Sequence, residues 1–526
     1  MALTKVSYSM IQGGSANVLD FGATGNGSTD DTTAIQLAIT SLASSGGQLF
    51  FPQGTYKITS TLNLVNNVRY IAQGNTTLQI TVSEVGLQLP AAASTIEISG
   101  FIISGTFARA ISCNYGGTAT KIKIYGNTIS GATLAGAGYT SGIFMMNATD
   151  CIVEANKLSG NGLGTTTAFH ADIAFYAPAA GTQNSRNKIL NNQCSSSVGY
   201  NIQAFNLDHS EIAFNICKGA LTGSGNNNGY GIVVYDVTSY TLPYSTTNFN
   251  VISNNVVTNT QGTGIYIASA DNCIIANNIC AYNGTVQTDA TLPVGGIAIN
   301  GPYCSQTTVT GNDVSSSGKD GIVNSANNYS TITGNTISAC TQHGIHIRGA
   351  NSSLAINGNL ITSSSGRGIY DDATAKTYLS ITGNNVNQCA FAGIEINGAT
   401  KSNISSNVSV LNGTYGIQNN GNYNSFTNNV LTTNTTDAMS GVGTGNMRRG
   451  NKFTDGENQG TATLSAGTFT VSTVEVRTND IILITRGTIG GTTGNLSARA
   501  IVNATSFVLD SSSGTETSSV YWEIVH

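Results

Sequence analysis

Three stretches, TITGNTISACTQHGIHIR at 331–348, AINGNLITSSSGRGIYDD at 355–372 and SITGNNVNQCAFAGIEIN at 380–397, share one frame. An Asn (Asn335, Asn359, Asn384) sits among alternating apolar residues, and Gly-Ile follows nine positions later at Gly344, Gly368 and Gly393. Working outward, the Asn frame recurs at Asn127, Asn156, Asn215, Asn255, Asn278 and Asn312, then at Asn407 and Asn429. From Asn312 onward the spacings are 23, 24, 25, 23 and 22 residues. The segments between are short and alternate with period two, are bounded by Gly, Asn and Ser, and show no helical periodicity. A repeat of this length predicts an all-β solenoid, a right-handed parallel β-helix, because each unit buries its apolar side only by stacking on the next. Rungs about 4.8 Å apart would place the asparagines one above another as an amide ladder. Cys194, Cys217 and Cys280 fall two residues after a ladder position, where other repeats carry Val or Ile, so they read as small core residues.

Two regions fall outside the repeat. Ala34–Ile39 has helical spacing behind the acidic Asp30-Asp31 pair and predicts a short helix covering the N-terminal end of the coil. After Asn458, the segments TFTVSTVEV, DIILITR, TSFVLD and SVYWEIVH, with the single Trp522, predict a small antiparallel β-domain. The organisation expected is therefore an N-terminal segment 1–18, a capped β-helix 19–457 and a C-terminal domain 458–526 that caps or trimerises the coil.

Composition limits the function classes. Of 526 residues 62 are Gly and 9% are charged, against about 25% charged in ordinary domains. With 40% hydrophobic residues the chain is not disordered. A net charge of −5 without a Lys/Arg run offers nothing to nucleic acid or an anionic membrane. No signal peptide or membrane span is visible. Nine cysteines without close CxxC pairs indicate neither a disulfide framework nor a zinc site. No cofactor motif occurs, and calcium, which could assist sugar chemistry, finds no D-x-D-x-D-G loop.

The stretch Asn17-Val18-Leu19-Asp20-Phe21-Gly22-Ala23, continuing through Gly27–Thr32 to Gly47–Tyr56, resembles the N-terminal signature of the pectate-lyase-like β-helix superfamily. Lys5–Ile11, which leads into it, looks like the openings of bacteriophage tail proteins and tailspikes. The segment from Gly487 to Val525 resembles small domains that end many such proteins. The resemblance implies a homotrimeric tailspike carried on the virion tail, whose β-helix binds and often cleaves a bacterial surface polysaccharide. The superfamily contains hydrolases, lyases and uronan epimerases, so the fold does not choose the reaction.

Side chains alternate along a strand, so offsets +2 and +4 from the repeat Gly point outward when Ile at +1 points in. Offset +4 runs through Tyr176, Phe205 and Tyr235 and later through Arg348 and Asp372; offset +2 includes Tyr266, His346, Tyr370 and Glu395. The aromatic rungs predict a sugar-stacking platform or a subunit contact. The later rungs gather Asp372, Glu395, His346, Tyr370 and Arg348, with His343 and Arg367 at the adjacent turn. That is a marked concentration in a chain with five histidines. One rung and two strand positions set the Cα atoms of Asp372 and Glu395 about 8 Å apart. Side-chain reach then spans either glycosidase geometry, about 5 Å between carboxyls for retention or about 6.5–9.5 Å for inversion. Hydrolysis by this pair is the leading expectation. Elimination or epimerisation is the rival, with Arg348 neutralising a uronate and Tyr370 or His346 taking the α-proton. A glycan-binding protein without catalysis is the second rival. Longer repeats at 156–192, 215–255 and 278–312 carry extra loops. His170, Asp172 and Asp236, with Tyr240, Tyr244 and Asp289, form a second candidate group there, His170 and Asp172 as base and orienter or as loop anchors.

Overall fold

The structure is a computed structural model that describes residues 15–81, 84–134, 139–162, 170–177, 182–223, 228–236, 247–286, 293–301, 304–325, 328–441, 443–453, 458–473, 476–503 and 505–525. Lys5–Ile11, Tyr240, Tyr244 and Asp289 lie outside them. The chain forms two compact units, one ending at Arg348 and the other beginning at Gly349.

In the first unit each rung carries three short strands that pair in parallel with the next rung. Ile274–Ala276, Ile279–Ala281 and Gly295–Asn300 align with Thr308–Thr310, Asp313–Ser315 and Asp320–Ser325. Ile275 faces Val309, Cys280 faces Val314 and Ile297 faces Ile322, all without exposure. Burying a Val- to Ile-sized side chain contributes about 1.5–3 kcal/mol, which makes these inward columns the main stabilising element of the coil. The second unit repeats the plan. Ser380–Thr382, Asn385–Asn387 and Ile394–Ile396 pair in parallel with Asn403–Ser405, Val408–Val410 and Tyr415–Asn419. The third strand of the rung recurs eleven times in the first unit and four times in the second among the described residues. The fold is the parallel β-helix expected from the repeat.

The Asn ladder is continuous within each unit. Asn255 Nδ2 donates to Asn278 Oδ1 (3.0 Å) and Asn278 Nδ2 to Asn312 Oδ1 (2.9 Å). Asn278 Nδ2 also donates to the carbonyl of Ile252, and Asn278 Oδ1 accepts the backbone N–H of Asn255. In the second unit the ladder runs Asn359, Asn384, Asn407, Asn429 and one rung further to Asn451. These amides are buried, and pairing on both ends avoids the cost of about 1–3 kcal/mol for each orphaned polar group. The residue before a ladder Asn adopts the left-handed conformation, which explains Gly311 (φ 63°) and Asn277 (φ 55°) there. Phe214 (φ 58°) holds the same conformation without being Gly, so rung stacking overrides the local preference.

Cys194, Cys217 and Cys280 occupy the inward column with Leu158, Val257 and Val314, and all nine cysteines are free and buried. Burial raises the Cys280 thiol, so it is inert packing. The expected N-terminal helix spans Thr32–Ser41 and buries Ile35, Ala38 and Ile39. Its first turn is capped by Asp30, which accepts from Thr32 N (3.0 Å) and Thr32 Oγ1, while Asp31 binds Thr24 N and Gly25 N. At the C-terminal end, two three-stranded antiparallel sheets enclose Leu464, Phe507, Leu509, Val520 and Trp522. The Phe507 and Trp522 rings meet edge to face at 5.3 Å.

One expectation is corrected. The aromatic stripe is not an exposed platform. Phe205 and Tyr266 are buried, Tyr176 is 9% exposed, and only Tyr235 is half-buried. The strands Thr140–Met146, His170–Tyr176 and Tyr200–Phe205 are buried on both faces. On the side away from the coil interior, rings of successive rungs cover one another: Tyr139 on Tyr176 (5.4 Å), Tyr176 on Phe205 (5.8 Å) and Phe205 on Tyr235 (5.6 Å). Large rings one rung apart reach each other before they reach solvent.

Candidate functional site

In the second unit the Gly-Ile frame turns Tyr370 outward and half-buried, while Glu395, one rung on at the same parity, is buried. Ile369 and Ile394 are inward, and Tyr370 stands in register with Glu395 on the next strand. Glu395 is 6% exposed; its Oε2 meets Arg367 Nε at 2.6 Å and its Oε1 accepts Asn397 Nδ2 at 2.8 Å. The Arg367 guanidinium also lies over the rings of Tyr370 (4.9 Å) and of Phe391 (5.1 Å), the latter 48% exposed. Burial and the neighbouring Glu395 charge push the Tyr370 phenol above its usual range, so it stays a proton donor at neutral pH.

The strand Ile369–Asp371 ends at an inward carboxyl, Asp371, that is fully buried. Its charge is met by Lys376 Nζ at 2.7 Å and by the backbone N–H groups of Gly398 (3.0 Å) and Ala399 (2.9 Å). Desolvation raises the Asp371 carboxyl against those partners. Lys376, itself buried, also binds Asp372. Asp372 further accepts Gly349 N (3.0 Å) and Thr374 N (3.0 Å). Desolvation opposes ionisation, but Lys376 and these N–H groups outweigh it and hold the Asp372 carboxyl below its usual range. Asp372 is therefore an ionised carboxylate, half-buried beside solvent, suited to act as a base or nucleophile.

In the first unit His346 and Arg348 lie on the outward side of Ile345–Arg348. His346 Nδ1 is 2.8 Å from Asp320 Oδ2, and His343 donates its backbone N–H to Asp320 Oδ1 (2.9 Å). The two imidazole rings stand edge to face at 5.0 Å. Asp320 was not singled out by the sequence reading. The signal was present, since Asp320 precedes His343 by 23 residues, one repeat length. Lys376 was missed as well, because its two-residue strand, Lys376–Thr377, lies outside the Asn and Gly-Ile frames.

The second candidate group does not assemble as a base with its orienter. His170 and Asp172 are both fully buried. His170 Nδ1 accepts the backbone N–H of Thr140 (3.1 Å) and meets Thr140 Oγ1 at 2.6 Å; desolvation lowers the imidazole to about 4. Asp172 accepts from Asn161 Nδ2 (2.8 Å) and Asn201 Nδ2 (3.4 Å), and desolvation raises its carboxyl to about 7. Each is tied instead to residues of the coil, His170 to Thr140 and Asp172 to Asn161 and Asn201. Asp236 is also buried, at the end of Tyr230–Tyr235.

Three family descriptions match parts of the chain: a right-handed β-helix region over residues 222–380, a pectate-lyase-like rhamnogalacturonase A/epimerase over 15–112, and the C-terminal domain of K1 capsule-specific polysaccharide lyase over 456–525. A glucan 1,3-beta-glucosidase of Cochliobolus carbonum is 46% identical over 52 residues, 10% of this chain and 7% of that protein. Among solved structures, a tailspike protein mutant of Escherichia coli bacteriophage HK620 in complex with a hexasaccharide superposes with a TM-score of 0.53 at 12% identity, covering 97% of this chain and 93% of the tailspike. The A-module of mannuronan C-5 epimerase AlgE4 of Azotobacter vinelandii gives a TM-score of 0.39 at 16% identity, over 83% of this chain and 97% of that one. The chain has the right-handed parallel β-helix fold, shared with the tailspike structure, and its residues 15–112 are similar to the pectate-lyase-like family.

Proposed function

We propose that the chain is a polysaccharide depolymerase of tailspike type that hydrolyses glycan at the outward face of its second unit, with Asp372 and Glu395 as the reacting carboxylates. The observation that carries this reading is the unlike surroundings of the two acids. Asp372 is held ionised by Lys376 and backbone N–H groups beside solvent, as a base requires, whereas Glu395 is 6% exposed and bound by the Arg367 guanidinium (2.6 Å) and the Asn397 amide (2.8 Å). In the hydrolytic step Asp372 takes a proton from water as its oxygen attacks the anomeric carbon, and Glu395 gives a proton to the departing glycosidic oxygen. The Arg367–Glu395 ion pair must open for Glu395 to serve as that acid, and an anionic sugar substituent would compete for the guanidinium. Phe391, exposed beside Arg367, offers an apolar face for a sugar ring.

Elimination is the second reading, favoured by the Tyr370 phenol opposite Glu395 and by the C-terminal match to a polysaccharide lyase domain. There Arg367 would neutralise a uronate carboxylate, the ionised Asp372 would take the proton α to it, and Tyr370 would protonate the leaving oxygen. His346 and Arg348, which the sequence offered for this chemistry, belong to the first unit. A homotrimer on a virion tail is part of the same proposal, resting on the tailspike fold; sedimentation at micromolar concentration should give three times the chain mass of 54.2 kDa, and a monomer would remove it.

The deciding experiment incubates the protein with neutral and uronate-containing polysaccharides while following reducing ends and the ultraviolet absorbance of unsaturated uronides. Reducing ends without absorbance establish hydrolysis; both signals together establish elimination; neither signal, with glycan bound, leaves a binding protein.

A further inference from the structure

We propose that Asp320, His343 and His346 form a binding site for one divalent transition-metal ion, Zn²⁺ by preference. The inference goes beyond the glycan chemistry and does not rest on it. All three side chains lie within the first unit, and one donor atom from each falls within 4.8 Å of the others. The repeat produces this meeting. Asp320 opens the strand Asp320–Ser325, and its register with the next rung, Ile322 to Ile345 and Val323 to His346, brings His343 and His346 alongside it. Asp320 is 4% exposed and its two oxygens point at the histidine segment, Oδ1 to the backbone N–H of His343 and Oδ2 to Nδ1 of His346. The His346 side chain is 15% exposed, so an ion has a path from solvent.

Donor chemistry selects the ion. Two imidazole nitrogens and one carboxylate oxygen suit Zn²⁺, Fe²⁺, Co²⁺ or Ni²⁺, whereas Ca²⁺ and Mg²⁺ prefer shells of oxygen. Three protein ligands leave at least one coordination position for water or a ligand oxygen, as in open rather than structural zinc sites. Ligands of one ion at about 2.0–2.2 Å must stand closer together than 4.8 Å, a gap that rotation of an imidazole about its side-chain bonds closes. A histidine–aspartate hydrogen bond alone would explain Asp320 and His346. The second imidazole stands beside that pair, its ring 5.0 Å from that of His346, and adds a third donor to the group.

The test uses the full chain, stripped with a chelator and titrated calorimetrically with Zn²⁺, then with Co²⁺ while visible absorbance is recorded. One Zn²⁺ per chain with micromolar or tighter affinity is expected, together with Co²⁺ ligand-field bands. Loss of an outer-shell partner costs about 10–100-fold in affinity, so His343→Ala, His346→Ala and Asp320→Asn should each weaken binding by more than about 100-fold. His343→Ala retains the backbone N–H to Asp320, so the variant should still melt cooperatively, which separates loss of the metal from loss of the fold. His209→Ala, removing the exposed imidazole beside Asp208, should leave binding unchanged. Absence of Zn²⁺ binding at 100 micromolar ion, on the order of the weakest affinity useful to a resident metal, would overturn the proposal. Undiminished binding in the His343→Ala/His346→Ala double variant, or displacement of Zn²⁺ by equimolar Ca²⁺, would overturn it equally.

Discussion

Rungs between Thr140 and Tyr235 and rungs between Asp320 and Asn397 are built on the same repeat, yet they use their outward faces in opposite ways. In the earlier rungs both faces of the strands are closed: Ile173, Ile202 and Ile232 fill the coil, while Tyr176, Phe205 and Tyr235 pack ring on ring on the other side. In the later rungs the inward isoleucines remain, Ile345, Ile369 and Ile394, but the outward places hold His346, Tyr370 and Glu395. The parallel ladder tolerates either choice because rung stacking depends on the inward column and the Asn amides. Outward side chains are thereby left open to charged and polar residues in one stretch and to extra burial in another.

The sharpest way to break this comparison is at the charged rungs. Asp372→Asn and Glu395→Gln should each lower the rate of glycan cleavage by about 10³–10⁴-fold, the range of a lost acid or base. Folding should survive, since Lys376 keeps Asp371 and the Arg367 side chain, 31% exposed, can be solvated. Unchanged rates in both variants would remove the chemistry from this face. At the aromatic rungs the expected effect is on stability. Phe205→Ala should cost about 3–5 kcal/mol in denaturant unfolding and leave KM for glycan unchanged. A raised KM with little loss of stability would make the stripe a sugar platform after all. The ladder is the baseline common to both stretches. Asn278→Ala orphans the Asn255 amide and the Ile252 carbonyl and should cost about 2–4 kcal/mol without altering the cleavage rate per folded molecule.

Much of this was legible in the chain because a solenoid writes its third dimension along one axis. The frame around Asn335, Asn359 and Asn384 gives coil, ladder and register together, and the inward slot of Cys194, Cys217 and Cys280 follows from counting two places on. Parity also placed His346, Tyr370 and Glu395 outward. Exposure was not legible. Outward on a strand equals exposed only where nothing covers the face, and the large residues Tyr176 and Phe205 supply their own cover. Partners from outside the frame were equally hidden. Lys376, which holds both Asp371 and Asp372, lies on the short strand Lys376–Thr377 outside the Gly-Ile frame, and Asp320 acquires meaning only when one repeat length is added to reach His343. The expected His170 and Asp172 pair failed for a related reason. Two positions along a strand put side chains on one face, but burial gave each its own neutral hydrogen-bond partner.

That pair yields the smallest and most specific prediction. Asp172 titrates from 3.8 in the unfolded chain to about 7 in the folded one, because burial favours the neutral acid. Its contribution to stability is therefore complete below pH 3.8 and is lost as pH rises through 7. Between those values the folded state holds one proton more than the unfolded state, so this residue lowers stability by about 1.4 kcal/mol per pH unit. His170, lowered from 6.5 to about 4, acts in the opposite sense, since the unfolded chain takes up its proton first as pH falls. Over pH 4.5–6.5 the two slopes offset each other in the wild-type protein. Asp172→Asn retains the acceptor for Asn161 and removes the titration. The stability of the variant minus that of the wild type, from denaturant unfolding at successive pH values, should climb by about 1.4 kcal/mol per pH unit across that window and level off above pH 7. A difference that stays flat would mean that Asp172 is ionised in the fold and that the closed rungs hold a buried charge.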